Sequence, residues 1–189
     1  MRLVTWNCRI GGFRWKAKHI APMRPDILAV QEVETIGPRM FPEDARPTYC
    51  DRSCASDFPR RGFGMFSYSQ TSINGVVGAE PFSGFRRYEV HRADLSFNVV
   101  GVWPWATRSV KTSYRQAHDG LLHHEDWVRQ RDTVLLGDFN ASAKFNGNAW
   151  RELVEHLEGL ELVSAYHAFK NQSFGQEVDS THFPLMKLR

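Results

Sequence analysis

Cysteine is scarce in this 189-residue chain, with only Cys8, Cys50 and Cys54 present. An odd count without a regular framework excludes the disulfide scaffold of a small secreted domain. Cys50 and Cys54 form one close pair, whereas a structural zinc site takes about four ligands, usually from two such clusters. Free thiols are the expectation. Long apolar runs are also lacking. No stretch approaches the roughly 20 residues of a membrane span, and Met1-Arg2 leads straight into the β-prone Leu3-Val4-Thr5-Trp6 rather than into a targeting segment. The expectation is a soluble, cytoplasmic protein with no membrane span. Neither charge sign dominates: the net charge is +3 and the pI about 8.9. That balance permits a polyanionic partner but lacks the basic stripe of a non-specific nucleic-acid binder. Low-complexity tracts, long linkers and internal repeats are absent as well, so residues 1–189 read as a single domain.

What is present is globular. Hydrophobic residues make up 42%, and six Trp and thirteen Phe can fill a core or line a groove. Leu3 to Cys8 reads as a strand stopped by Gly11-Gly12. Phe13 to Ile20 reads as a short helix, with Phe13, Ala17 and Ile20 on one side and Pro22 and Pro25 ending it. Ile27-Leu28-Ala29-Val30, leading to Gln31-Glu32, is apolar on both faces, as in a strand buried on both sides. Pro38 to Arg61 is rich in Pro, Asp, Arg and Ser and reads as an irregular excursion. Phe63 to Tyr68, Arg87 to His91 and Phe97 to Trp103 read as strands. Tyr114 to Gln130 reads as an amphipathic helix whose histidines face solvent, and Thr133 to Leu136 as another buried strand that Gly137 ends. Ala149 to Leu157 carries Trp150, Leu153, Val154 and Leu157 at helical spacing, with Gly159 as the stop. This mixed order suits a layered α/β or α+β domain.

Three of these strands end in polar residues: Trp6-Asn7-Cys8, Gln31-Glu32, and Gly137-Asp138-Phe139-Asn140. Each alone is an ordinary turn or a solvated strand end. Together, each after a buried strand, they predict a common rim where a ligand binds. Oxygen donors suit a hard cation such as Mg²⁺ or Mn²⁺. Glu32 and Asp138 supply carboxylates there; Asn7 and Asn140 supply neutral amides that hold a phosphate or a water without repelling it.

Leu3-Val4-Thr5-Trp6-Asn7, Arg24-Pro25-Asp26-Ile27-Leu28-Ala29-Val30-Gln31-Glu32 and Leu135-Leu136-Gly137-Asp138-Phe139-Asn140 resemble, in order and spacing, three blocks of the endonuclease/exonuclease/phosphatase superfamily, whose members include deoxyribonuclease I. The resemblance extends over roughly Met1 to Phe183 and is faint between Gly37 and Phe85. It implies a four-layer α+β fold, a two-sheet β-sandwich flanked by helices. It implies that Glu32 binds the divalent cation, Mg²⁺ or Mn²⁺, with Asn7 beside it. Asp138 would orient or deprotonate the attacking water, and Asn140 would bind the scissile phosphate. The implied reaction is metal-assisted in-line hydrolysis of a phosphodiester.

The sequence departs from the family in two places. The Ser-Asp-His block expected on the last strand is missing, and no Asp-His dipeptide occurs. Ser180-Thr181-His182-Phe183 resembles the Thr-aromatic block that normally precedes two further strands, so a chain cut short of its last strands is expected, with an exposed sheet edge prone to self-association. His182 is the best substitute for the catalytic His; His167 is another near the rim. The second departure is Val100 to Trp105, where relatives carry Tyr or His. Here Trp103 either stacks on a base or sugar or packs in the core. Arg9, Arg14, Lys16 and Lys18 after the first strand, and Arg108, Lys111 and Arg115 after the Trp103 strand, either grip substrate phosphates or solubilise the surface. The expected partner is nucleic acid. The alternatives are a phosphatase or phosphodiesterase acting on a lipid or small phosphate ester, or a non-catalytic relative that binds nucleic acid or protein.

Overall fold

Ile27-Leu28-Ala29-Val30 has no polar alternation, and the fold buries both of its faces completely. Ile27 and Ala29 point into a core shared with a second sheet, while Leu28 and Val30 point to a helix-covered outer face. The computed structural model describes residues 1–9, 11–34, 41–43, 46–55, 58–68, 70–76, 84–105 and 113–179. Among these, two compact units are distinguished, Met1–Asn140 and Ala141–Arg189.

The first unit holds two mixed four-stranded sheets. One has the order β1 (Leu3–Asn7), β2 (Ile27–Val33), β4 (Phe58–Ser67), β3 (Tyr49–Ala55). β1 runs parallel to β2, with Leu3 opposite Ile27 and Asn7 opposite Gln31; β4 is antiparallel to both of its neighbours. The other has the order β5 (Ser72–Gly75), β6 (Phe85–Arg92), β7 (Leu95–Val102), β8 (Thr133–Gly137). β6 is antiparallel to β5 and β7, and β8 is parallel to β7. Ile27, Phe63 and Met65 from one sheet meet Tyr88, Val90 and Val99 from the other in one buried cluster, with Val134 and Leu136 packed against it.

Each outer face is closed by a helix. On the first sheet lies α1 (Phe13–Ile20), whose buried Phe13, Ala17 and Ile20 follow the expected spacing. The Phe13 ring stacks on Phe66 at 5.8 Å, and Phe41 meets Phe66 edge-on at 5.1 Å. On the second sheet lies α2 (Ser113–Arg129), which buries Ala117, Leu121 and Val128. Gly120 sets its close approach: a Cβ there would lie 2.2 Å from the Phe85 ring. Burial of these two faces is the main source of stability for both helices.

In the second unit, α3 (Ala143–Gly159) is interrupted at Gly147 and ends at Gly159, and α4 (Ala165–Lys170) follows. No helix among the described residues is long and apolar enough to cross a membrane.

The four-layer, two-sheet expectation matches this architecture. Several details differ. β3 and β5 occupy stretches read as loop, and β4 begins at Phe58 rather than Phe63. β8 is half-buried, because it forms an edge of its sheet. α3 starts six residues before Ala149. His124, expected on a solvated helix face, is buried against Phe85 with ring centroids 5.5 Å apart.

Candidate active site

β2 ends in a one-residue bulge. Gln31 pairs with Phe63 and Val33 with Gly62, which leaves Glu32 outside the register at φ 58°. Were the strand regular through Glu32, Val33 would share the inward face of Ile27 and Ala29. With the bulge, Val33 joins Leu28 and Val30 in the cluster under α1, and Glu32 is turned toward the end of the sandwich. A left-handed conformation at a non-glycine residue costs about 1–3 kcal/mol, which the surrounding strand pairing has to offset.

Two residues further on, Glu34 closes the same corner. Gly12, at the start of α1, has no side chain to cap the helix. Glu34 supplies the cap, accepting from Phe13 N–H at 2.8 Å and Arg14 N–H at 3.1 Å. Partial burial works against its charge, but those backbone donors outweigh it and hold the carboxyl below its usual range. The loop between β1 and α1 is fixed from its other side by Lys16, whose ammonium donates to the carbonyls of Cys8, Arg9 and Gly11. Lys16 is therefore turned onto its own loop rather than toward a substrate. Cys8 is buried beside it, and burial, helped by Glu34, pushes its thiol up to about 12.

Asn7 joins the three polar strand ends. Its Nδ2 donates to Glu32 Oε1 at 3.2 Å and to Asp138 Oδ2 at 2.8 Å. Its Oδ1 accepts from Arg9 N–H at 2.9 Å, which fixes which way the carboxamide faces. Asn7 thus bridges two carboxylates from different sheets. Below it, buried Gln31 donates to the Thr5 hydroxyl at 3.0 Å.

Asp138 is held as firmly. Its N–H donates to the Val102 carbonyl, and its Oδ1 accepts from Asn140 N–H, both at 2.9 Å. This requires glycine at 137, where a Cβ would sit 1.8 Å from the Val102 oxygen. Asn140, at φ 49°, donates from Nδ2 to the Pro104 carbonyl at 2.8 Å. Asn7, Glu32, Asp138 and Asn140 therefore share one rim, with exposed Arg9 next to Asn7.

Trp103 is only 5% exposed and packs on Trp105 at 4.7 Å within the inter-sheet cluster, so its ring is core and offers no open face to a base. Arg108, Lys111 and His182 lie outside the described residues. His167 belongs to the second unit, between Ser164 Oγ at 2.7 Å and Glu177 Oε1 at 2.9 Å.

The sequence reading missed Arg61. Its Nη1 lies 3.4 Å from Glu32 Oε2. The signal was the alternation Arg61, Phe63, Met65, obscured by the polar residues before it. It also missed Glu34, whose role depends on the helix start that folding brings to it.

Among the described residues the carboxylates of Glu32 and Asp138 supply oxygen ligands at this rim, and no three His, Cys, Asp or Glu side chains gather as a metal cluster. Such a set is wrong for zinc. It fits Mg²⁺, which is held by one or two carboxylates and keeps several waters or phosphate oxygens.

No protein-family model and no curated protein matches the sequence. Solved structures do match the fold. The endonuclease domain of TRAS1, a telomere-specific non-LTR retrotransposon, aligns with a TM-score of 0.60 at 12% identity, over 84% of this chain and 70% of that one. Truncated TDP2 of Caenorhabditis elegans aligns at 0.58 and 17% identity, over 75% of this chain and 63% of that one. A conserved Enterococcus faecalis V583 protein of unknown function aligns at 0.55 and 17% identity, covering 82% of this chain and 72% of its own. The chain thus spans less than two thirds of the TDP2 structure. The fold is deoxyribonuclease I-like, and this chain shares it with the TRAS1 endonuclease domain and with TDP2.

Proposed function

We propose that this chain is a divalent-cation-dependent phosphodiesterase acting on nucleic acid. The observation that carries the reading is the single Asn7 amide held between the Glu32 and Asp138 carboxylates. A carboxylate with a structural task caps a helix, as Glu34 does. Two carboxylates brought from separate sheets around one neutral amide form a site for positive charge.

Glu32 is the residue that would hold Mg²⁺ or Mn²⁺, with Asn7 fixing its orientation through Nδ2. A bound cation supplies Lewis-acid stabilisation of the charge that grows on a phosphate oxygen. Asp138, whose two oxygens are oriented by Asn7 and by the Asn140 backbone, accepts a proton from the attacking water. The water oxygen bonds to phosphorus as the ester oxygen leaves on the opposite side and takes a proton from solvent. Asn140 and Arg9 hold the phosphate oxygens. Nucleic acid is favoured as substrate by the TRAS1 likeness and by exposed Arg9 next to Asn7.

The test is cleavage of labelled single- and double-stranded DNA and RNA with Mg²⁺ or Mn²⁺, against an EDTA control and Glu32→Gln. Cation-dependent cutting that the variant loses is the expected result. Equal cutting by the variant, or in EDTA, would remove Glu32 from the reaction. No cutting of any nucleic acid would favour a small phosphate ester or a binding role.

A further inference from the structure

Among the partners of Glu32 are two side chains of different kinds. Asn7 is neutral and reaches Oε1; Arg61 is cationic and reaches Oε2. Arg61 lies on β4 beside the bulge and shares the inward parity of Phe63 and Met65, so the strand aims it at the rim. Both charged groups retain access to water: the Arg61 side chain is 37% exposed and that of Glu32 19%. At that exposure the pair contributes little to stability. Yet it spends its carboxylate on a residue held in a strained conformation, so a purely structural purpose explains it poorly.

A guanidinium and a divalent cation cannot both use the same face of one carboxylate. A guanidinium is also well matched to phosphate, with planar, bidentate donors. We propose that Arg61 is an exchangeable counter-ion: it neutralises and orients Glu32 before the cation arrives, then turns its guanidinium to a substrate phosphate once Glu32 is occupied. It is a positioning and substrate-binding residue on this account, and the inference rests on the phosphodiesterase reading.

The geometry has two opposite consequences for one substitution. Removing Arg61 takes away the competitor for Glu32, so cation affinity without substrate rises. It also takes away a phosphate contact, so nucleic-acid binding weakens and becomes less salt-sensitive.

The experiment is Mn²⁺ titration of the intact chain by electron paramagnetic resonance, without substrate, for wild type, Arg61→Ala, Arg61→Lys and Glu32→Gln, with circular dichroism as the folding control. Arg61→Ala is expected to tighten Mn²⁺ binding about two- to fivefold, with Arg61→Lys between it and wild type. Its binding to a DNA oligonucleotide should weaken, with the slope of log K against log salt reduced by about 1. Unchanged or weaker Mn²⁺ binding in a folded Arg61→Ala protein overturns the counter-ion role. An unchanged salt slope overturns the phosphate role. Equal Mn²⁺ binding by wild type and Glu32→Gln is a different failure, because it removes the metal-site reading itself. Should Arg61→Ala not fold, Arg61→Lys alone decides through the same two readouts.

Discussion

Glu32 and Glu34 are two residues apart, at the end of one strand, and have opposite fates. Glu34 is bound by backbone N–H groups of α1. Those donors cannot leave without unwinding the helix, so its carboxylate is a permanent cap. The partners of Glu32 include two side chains, Asn7 and Arg61, which can rotate away. Glu32 also occupies a left-handed backbone position that a regular strand would not impose. A carboxylate met by amides that are fixed by the fold serves stability; one met by side-chain donors is the one the proposed reaction can use.

Three measurements sharpen or break that contrast. The largest effect is expected just across the rim. Asp138→Asn should lower cation-dependent cleavage about 10²–10⁴-fold, the usual contribution of a general base, while Mn²⁺ affinity stays close to wild type. Turnover at the wild-type rate would show that Asp138 only orients Asn7.

Next come the two glutamates themselves, compared by chemical denaturation. Glu34→Ala should cost about 1 kcal/mol, as for loss of a helix cap. Glu32→Gly should cost less or even stabilise, since glycine accepts the left-handed conformation freely, yet it should abolish cleavage. The sign with pH follows from Glu34. Its carboxyl sits below the usual range in the folded state, so its contribution is complete above the unfolded value of about 4.3. It is lost as pH falls through the lower folded value. The stability gap between wild type and Glu34→Gln should therefore close on acidification and remain open at neutral pH. A gap that widens toward acid would contradict the capping role.

The smallest effect concerns Cys8, behind the pair. Its thiol, pushed up to about 12 by burial, should resist iodoacetamide at pH 8 in the native protein and react after unfolding, as read by peptide mass mapping. Because the folded state keeps the thiol neutral, its contribution to stability declines as pH rises through the unfolded thiol range toward 12. Rapid native labelling of Cys8 would mean the corner at Glu34 opens readily.

Much of this arrangement was legible beforehand, and unevenly so. The α1 boundaries followed from Phe13, Ala17 and Ile20 between glycine and proline signals. The doubly buried β2 followed from its unbroken apolar run. Asn7, Glu32 and Asp138 were expected on one rim, and hydrogen bonds join them. The β3 strand was hidden because Tyr49–Ala55 places Asp51, Arg52 and Ser53 in sequence, with no clear alternation. It is held by pairing with β4, which local pattern does not reveal. Asp51 is a partner for Tyr88 on the opposite sheet, at 2.9 Å, rather than a loop residue. Trp103 could have lined a groove or filled a core; only the second sheet's packing decides. Nor does any sequence signal announce the bulge at Glu32, because it reflects a competition for faces between Val33 and its neighbours.

Asn7 and Asp138 are 131 positions apart in the chain, yet they touch through one hydrogen bond. Closing so long a loop comes after local structure has formed, because its entropy must first be offset by contacts nearer in sequence. The rim is thus expected among the last features to assemble, with substitutions there speeding unfolding rather than slowing folding. A chain whose sheets had formed but not yet docked would hold every strand and no site. The joining of Asn7 to Asp138 would then be a late checkpoint of folding, withheld from any intermediate whose two sheets had not yet met.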